Sequence, residues 1–148
     1  MIEKINLRVY GLLLRGQNEV LVTDEIRWGK SFTKFPGGGL ILGEGLGDCI
    51  RREFMEEAGL VVNPTQLFYA NDFFQASAFN SKEQLISMYY FIDCPEIEKL
   101  HIHKDRFSFE EIKEESLIFR WQSLKNAEAE MTFPVDKVVC QELLLRFG

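Results

Sequence analysis

Residues 37–60 read Gly37-Gly-Gly-Leu-Ile-Leu-Gly-Glu-Gly-Leu-Gly-Asp-Cys-Ile-Arg-Arg-Glu-Phe-Met-Glu-Glu-Ala-Gly-Leu60, a glycine-rich loop followed by an acidic segment. The segment predicts a helix that advances about 100° per residue. On that helix Glu53, Glu56 and Glu57 occupy offsets of zero, three and four positions, so their carboxylates share one face. Like charges this close repel each other, and such an arrangement needs a counter-charge.

The ends of this helix can be predicted from its flanking residues. Gly45 or Gly47 can open it, which places Asp48 in the first turn, where the helix dipole favours an anion. Gly59 suits the left-handed position after the last turn, and Leu60 can pack back over that turn. An apolar stripe at i, i+4, i+8 spacing beside the acids predicts the buried edge: Ile50, Phe54 and Ala58.

Oxygen ligands clustered on a rigid helix suit Mg²⁺ or Mn²⁺. A lone Glu-x-x-Glu-Glu segment would more often be a solvated acidic face. The surrounding pattern decides between the two: Gly38, five residues, Glu44, seven residues, Arg52-Glu53, a bulky apolar residue, one free residue, Glu56-Glu57, one free residue, Gly59 and Leu60.

This pattern resembles the signature box of the Nudix hydrolases over its full 23 residues. Seven fixed identities, each at a usage of about 7%, would coincide by chance at on the order of 10⁻⁸ per starting position. The one departure is Phe54, where the family usually has Ile, Leu or Val, and it changes a packing residue and none of the acids.

The resemblance implies an α/β fold, a Nudix-type α/β/α sandwich with a mixed β-sheet between helices, and Mg²⁺ as cofactor, with Mn²⁺ as the alternative. It implies that the metal ligands are the carbonyl of Gly37 and the carboxylates of Glu53, Glu56 and Glu57. It implies that Glu44 supports the loop or an outer-shell water. We expect Arg52 to hold the carboxylates by ion pairing. The general base is expected to be Glu53 or Glu56, so the catalytic set is Glu44, Arg52, Glu53, Glu56 and Glu57.

Composition and charge restrict the range of possible partners and substrates. A chain of 148 residues fits one domain, here residues 1–148, with ordinary globular composition. The formal net charge of −6 disfavours nucleic acid polymers and anionic membranes as partners. A small anionic substrate is compatible with it, because bound divalent metal reverses the charge locally.

Localisation is predicted as cytoplasmic. No apolar run approaches the length of a membrane span, and Met1-Ile2-Glu3-Lys4 does not open a signal peptide. Cys49, Cys94 and Cys140 are odd in number and form no Cys-x-x-Cys pair. They predict buried, reduced thiols.

The segment before the box predicts a hairpin and a loop. Residues 6–14 and 19–23 are β-rich runs joined by Arg15-Gly16-Gln17-Asn18. Residues 24–35 are polar and aromatic and predict a loop that could supply a base-stacking ring and a cation for phosphate. The alternative is a rim packing residue with solvated lysines. The substrate-binding candidates are Trp28, Lys34 and Phe35, together with Phe74 beyond the box.

After the box, residues 61–74 predict extended chain interrupted at Asn63-Pro64, and residues 85–93 predict a strand near the middle of a sheet. Phe73, Phe74 and Phe79 surround a polar tripeptide and could form a nucleobase pocket or part of the core. We favour the core.

Residues 95–116 show the least regular pattern. His101 and His103 alternate as strand residues would, and a zinc site there needs a third ligand that the spacing does not reveal, so it is the less favoured interpretation. The acids that follow usually form a solvated face. By resemblance, one of them could be the extra glutamate that family members often bring to the metals: Glu110, Glu111, Glu114 or Glu115.

Residues 117–124 predict a strand, residues 125–130 a short helical turn, and Thr132-Phe133-Pro134 the start of a final amphipathic helix.

The functional hypothesis from the box is a Mg²⁺-dependent hydrolase in which water attacks the pyrophosphate of a nucleoside diphosphate linked to another group, as in nucleoside triphosphates and nucleotide sugars. The alternative is a catalytically silent, nucleotide-binding regulatory domain. A homodimer is expected from the resemblance alone.

Overall fold

The computed structural model describes residues 1–148. Its elements, in chain order, are β1 (Lys4–Leu12), β2 (Leu14–Arg15), β3 (Glu19–Arg27), β4 (Lys30–Lys34), β5 (Gly37–Gly39), α1 (Leu46–Ala58), β6 (Asn63–Ala70), β7 (Glu83–Asp93), β8 (Ile102–His103), β9 (Ser116–Ser123), α2 (Leu124–Glu130) and α3 (Pro134–Phe147). They form two compact units. The first comprises Met1–Leu13 and Pro36–Ile97, and the second comprises Leu14–Phe35 and Glu98–Gly148.

The first unit is built on a four-stranded mixed sheet in the order β5-β1-β7-β6. β1 and β7 are parallel from Lys4↔Glu83 to Leu12↔Phe91, whereas β5 and β6 are antiparallel edge strands. β7 is therefore an interior strand, as predicted. The rings of Tyr10 and Tyr89 stack 5.0 Å apart between neighbouring strands.

Helix α1 belongs to the first unit and has the predicted termini. The Gly45 N–H donates to the Asp48 carboxylate at 2.9 Å, so Gly45 rather than Gly47 precedes the helix. Gly59 ends it in the left-handed conformation (φ 67°), and its N–H donates to the Met55 carbonyl at 3.1 Å. Leu60 is buried behind that turn, which confirms the predicted stop.

The buried edge of α1 packs on β1 through Phe54. A Cβ on Gly11 would lie 2.9 Å from both the Phe54 ring and the Ile92 side chain, so the ring rests directly on the strand backbone. Ile50 and Phe54 are buried and Ala58 is half-buried. The predicted apolar stripe is therefore confirmed, with the large Phe54 ring accommodated by a glycine.

The second unit is built on a five-stranded sheet. β2, β4 and β9 all pair antiparallel with β3, and β8 pairs parallel with β9. α2 follows β9 directly and α3 follows α2. Pro134 lies in the first turn of α3, and a stripe at four-residue spacing is buried: Val135, Val139 and Leu143. The predicted C-terminal strand and both helices are confirmed.

A polar network lies inside the sheet of the second unit. The Asp24 carboxylate accepts hydrogen bonds from Arg120 at 2.8 and 3.1 Å, from the Thr33 hydroxyl at 2.7 Å and from the Phe107 N–H at 3.0 Å. A buried carboxylate with this many donors has its desolvation offset by charge-assisted hydrogen bonds. Charged residues can therefore occupy interior positions of this sheet.

That network explains why the predicted loop at residues 24–35 is wrong. The segment is a hairpin of β3 and β4 paired from Thr23↔Lys34 to Arg27↔Lys30. Four of its polar side chains are buried in the sheet, namely Asp24, Glu25, Thr33 and Lys34, and Lys34 lies 3.0 Å from Glu25. Lys30 and Ser31, near the turn, are exposed. The hairpin turns at Trp28, which has a φ of 53°.

The predicted hairpin needs correction. Of residues 6–14 only Leu14 pairs with the 19–23 run, opposite Val20, because β1 pairs with β5 and β7 and only the two residues of β2 pair with β3. Apolar alternation marks a strand but not its partner. The predicted α/β class with mixed sheets and helices is confirmed, and the strands form two mixed sheets.

The aromatic residues after β6 are not core, contrary to the favoured prediction. Phe73, Phe74 and Phe79 are all exposed. The buried residue of this loop is Asn71, whose amide donates to the Phe73 carbonyl at 2.9 Å and accepts from the Ser87 N–H at 2.7 Å. The loop is therefore anchored by a polar side chain, and its rings face outward.

Among the helices described here, none combines the length and the apolar character needed to cross a bilayer.

Candidate functional site

The acidic residues of the box converge on one guanidinium group in the first unit. Arg52 Nε and Nη2 donate to the two oxygens of Glu44 at 3.0 and 2.8 Å. Its Nη1 donates to Glu53 Oε1 at 3.0 Å and to Glu56 Oε1 at 3.3 Å. Arg52 is therefore shared by three carboxylates, two of them on its own helix.

Glu53 also lies against the backbone of β5. A Cβ on Gly38 would come within 2.9 Å of three Glu53 atoms, namely both carboxylate oxygens and Cδ. Glycine is thus the residue that leaves space for this carboxylate beside the strand. Helix α1 packs on β5 and β1. The helix therefore positions the Glu53 carboxylate, and the missing side chain of Gly38 in β5 leaves the space that it occupies.

Glu44 connects the loop to the helix. Besides its two-pronged pairing with Arg52, its carboxylate accepts the Ile41 N–H at 2.9 Å. The hydrogen bonds from Arg52 and from the Ile41 N–H lower the pKa of Glu44 from 4.5 to about 2. The carboxylate is therefore ionised throughout the neutral range, and the same contacts keep the pKa of Arg52 above its ordinary value.

Cys49 and the Gly39 carbonyl are parts of this cluster that sequence reasoning missed. The Cys49 thiol lies 3.5 Å from the Gly39 oxygen, which also accepts Arg52 Nη2 at 3.0 Å. Burial, followed by the neighbouring Glu44 charge, raises the pKa of Cys49 to about 12. The available signal was helical spacing, since Cys49 lies three residues before Arg52 on the same face.

The charge balance of the cluster fits a divalent cation. Glu57, half-buried one turn after Glu53 on α1, is the fourth box acid. Three carboxylates contact the single guanidinium of Arg52, so this group carries an excess of negative charge. The donors are all oxygens, and the glycine backbone of β5 gives one of them a preformed place. Hard cations such as Mg²⁺ and Mn²⁺ prefer such donors.

The predicted substrate-binding residues occupy different settings. Phe74 lies in the first unit, exposed on the loop after β6. The other three lie in the second unit. Trp28 is exposed at the hairpin turn, with the Arg27 guanidinium 4.9 Å from its ring centre. Phe35 is fully buried, and Lys34 is held by Glu25 and by the Phe35 carbonyl, 3.1 Å away.

The four candidates for an extra acid lie in the second unit, between β8 and β9. Glu110 Oε1 is 3.5 Å from His101 Nε2. Glu111 lies 4.0 Å from Lys113, and Glu115 lies 3.5 Å from Arg27. Glu114 is exposed. Of the four, Glu110 is the acid with histidine neighbours.

Comparison with known proteins gives a consistent family assignment. The family model described as NUDIX domain matches residues 4–142. This match includes segments of both compact units. No curated protein matches the sequence significantly.

Solved structures with a similar fold are numerous, and three illustrate the range. The MutT protein from Methanosarcina mazei Go1 has a TM-score of 0.69 at 17% identity, over 99% of this chain and 97% of that chain. The E. coli ORF135 protein has a TM-score of 0.68 at 17% identity, over 97% and 91%. A NUDIX hydrolase from Nitrosomonas europaea has a TM-score of 0.60 at 20% identity, over 95% and 88%.

Proposed function

The chain belongs to the Nudix family, and we propose that it is a Mg²⁺-dependent hydrolase of the pyrophosphate bond in a nucleoside diphosphate linked to another moiety. Nucleoside triphosphates and nucleotide sugars are the substrate classes to be tested. The observation that carries the proposal is the convergence of Glu44, Glu53 and Glu56 on Arg52 beside the Gly38 backbone.

The proposed metal ligands are the carbonyl of Gly37 and the carboxylates of Glu53, Glu56 and Glu57. The gap at Gly38 supports this set, because it lets the Glu53 carboxylate approach the strand that carries the proposed carbonyl ligand. When bound, Mg²⁺ would neutralise pyrophosphate oxygens and make a bound water more acidic.

The carboxylates of α1 then have a second role as proton acceptors. Glu53 or Glu56 takes a proton from the attacking water as its oxygen forms a bond to phosphorus and the bridging P–O bond breaks. The departing phosphate keeps the bridging oxygen, so no covalent enzyme intermediate is needed. General-base assistance of this kind contributes about 10²–10⁴-fold to rate.

Arg52 and Glu44 act by positioning the proposed metal ligands. The guanidinium holds Glu53 and Glu56 by hydrogen bonds of 3.0 and 3.3 Å. Glu44 in turn fixes the guanidinium with two bonds and the loop with one. We therefore assign both as positioning residues, and the ionised state of Glu44 supports that role because a protonated acid would lose one of its bonds to Arg52.

Other aspects of the proposal rest on the whole chain. We propose that residues 1–148 work as one catalytic domain and that the protein acts in the cytoplasm. The family match over residues 4–142 supports the proposal of one domain. The net charge of −6 supports a small nucleotide rather than a nucleic acid polymer as substrate.

The decisive experiment is a product-resolved screen of nucleoside triphosphates, nucleotide sugars and dinucleoside polyphosphates with Mg²⁺, with Mn²⁺ and with chelator. We expect phosphate-containing products from at least one class, dependent on metal. Glu57→Gln should reduce turnover by about 10²-fold because it removes the negative charge of a proposed ligand, while its melting curve stays close to that of the wild type.

Glu3→Gln is the matched control, since Glu3 is an exposed acid of the same unit outside the box. It should leave turnover unchanged. Nucleotide binding without turnover across the whole panel would favour the regulatory alternative, and equal activity of the wild type and Glu57→Gln would count against the assigned site.

A further inference from the structure

Two histidines and one glutamate form a separate cluster in the second unit. His101 lies immediately before β8 and His103 lies within it. Glu110 comes from the segment that joins β8 to β9. Residues two apart along an extended strand point to the same side, and here the two imidazole rings meet edge to face with centres 4.5 Å apart.

The distances in the cluster match those between ligands of one metal ion. Glu110 Oε1 lies 3.5 Å from His101 Nε2 and 3.8 Å from His103 Nε2, and one ligand atom from each residue lies within 4.8 Å of the others. Tetrahedral Zn²⁺ with bonds of about 2.0–2.1 Å places its ligand atoms about 3.3 Å apart. A movement of less than about an ångström per side chain would close the site around an ion.

His103 supplies an independent observation. Its side chain is 14% exposed, and both its Nδ1 and Nε2 atoms are buried without a hydrogen-bond partner. Buried polar nitrogens are almost always hydrogen-bonded, because an unsatisfied one loses its interaction with water and gains nothing in return. Coordination of an ion through Nε2 would satisfy one of these atoms with the neighbouring Glu110 oxygen as co-ligand.

We propose that His101, His103 and Glu110 bind a divalent transition-metal ion, Zn²⁺ in the first place, with a water molecule at the fourth position. The bound ion would link the connection between β8 and β9, residues 104–115, to β8. Glu110 lies within this connection and both histidines lie before it. Imidazole nitrogens select Zn²⁺ over Mg²⁺, so this site is chemically distinct from the all-oxygen cluster on α1.

The test is metal binding by the full chain in excess Mg²⁺, which occupies sites made only of oxygen. Equilibrium dialysis against ZnCl₂, followed by elemental analysis, gives the stoichiometry. Titration with Co²⁺ reports geometry, because a four-coordinate nitrogen and oxygen site gives intense visible absorption whereas a six-coordinate oxygen site absorbs weakly. We expect one Zn²⁺ per chain and the intense Co²⁺ spectrum.

The variants use the exposed ligands, so that folding is preserved. The His101 and Glu110 side chains are 74% and 82% exposed, and Glu111, 76% exposed, is the adjacent acid outside the cluster. His101→Ala and Glu110→Gln should each weaken Zn²⁺ binding by about tenfold or more, whereas Glu111→Gln should stay within about twofold of the wild type.

A tryptic digest provides a readout that does not depend on measuring the metal. Lys104, Arg106 and Lys113 lie in the connection from β8 to β9, and Zn²⁺ should slow cleavage there in the wild type but not in Glu110→Gln. The proposal is overturned if the wild type binds no more Zn²⁺ than His101→Ala and Glu110→Gln, or if Co²⁺ gives only the weak six-coordinate spectrum.

Discussion

Three consecutive glycines in β5 allow the proposed site to be tested by adding a single methyl group at each position. At Gly37 a Cβ would meet the Val9 carbonyl oxygen and lie 2.8 Å from Tyr10 Cα, and the φ of 147° disfavours any side chain. At Gly38 the three atoms nearest to it would all belong to the Glu53 carboxylate. At Gly39 the nearest atom would be 3.6 Å away, which is ordinary contact.

These surroundings predict three different outcomes. Gly37→Ala strains the backbone by about 1–3 kcal/mol, with the displacement of β1 added. At about 2–4 °C per kcal/mol for a chain of this size, the strain alone lowers the Tm by roughly 2–12 °C. Gly39→Ala should change neither Tm nor turnover, and it serves as the control for a methyl group on this strand.

Gly38→Ala is the informative variant. The atoms that its methyl group displaces are the far end of a flexible, partly exposed side chain, so the stability should change little. The Glu53 carboxylate, however, leaves both the strand and its 3.0 Å bond to Arg52. We expect turnover to fall by about 10²-fold, which corresponds to about 2.7 kcal/mol of transition-state stabilisation.

The assay pairs thermal unfolding with product release from the best substrate of the screen. If Gly38→Ala keeps wild-type turnover at an unchanged Tm, the position of Glu53 does not matter to the reaction and the assigned geometry is refuted. If Gly39→Ala loses as much activity as Gly38→Ala, the loss comes from the strand and not from the carboxylate.

Three further predictions concern stability and reactivity. Phe54→Ala should destabilise the fold by about 3–5 kcal/mol, since the ring is 2% exposed, and a denaturant midpoint equal to that of the wild type would show that the ring is not core. Since the folded-state pKa of Glu44 is lowered from 4.5 to about 2, its contribution to stability is present above pH 4.5 and is lost as pH falls toward 2. The Tm of Glu44→Gln should therefore fall less than that of the wild type across this window, and parallel curves would contradict the linkage. Cys49, with its pKa raised to about 12, should resist iodoacetamide in the native chain and react after unfolding. Rapid native alkylation found by mass spectrometry would disprove its burial beside Glu44.

Local sequence signals predicted the helix elements well. The start of α1 at Gly45 or Gly47, its end at Gly59 and the buried Phe54 follow from capping and periodicity, which depend on neighbours within one or two turns. The same holds for Pro134 at the start of α3. These features need no knowledge of the rest of the molecule.

Strand partners and polar burial did not follow from the sequence. Residues 24–35 were predicted as a loop because their charges suggested solvent, yet Asp24 and Lys34 are buried with partners. Arg120, the partner of Asp24, lies 96 positions away along the chain. Periodicity carries no information about an ion pair of such separation, so the segment's hydrogen bonding could not be inferred.

The sequence by itself determined the family pattern, the α/β class and the face of α1 that carries the acids, because all three are encoded in spacing along the chain. Only the tertiary structure decided that Gly38 makes room for Glu53, that β1 pairs with β7, and that Glu110 lies beside His101 and His103. Each of these depends on which distant segments pack together. Packing is set by the free energy of the whole fold rather than by local preference.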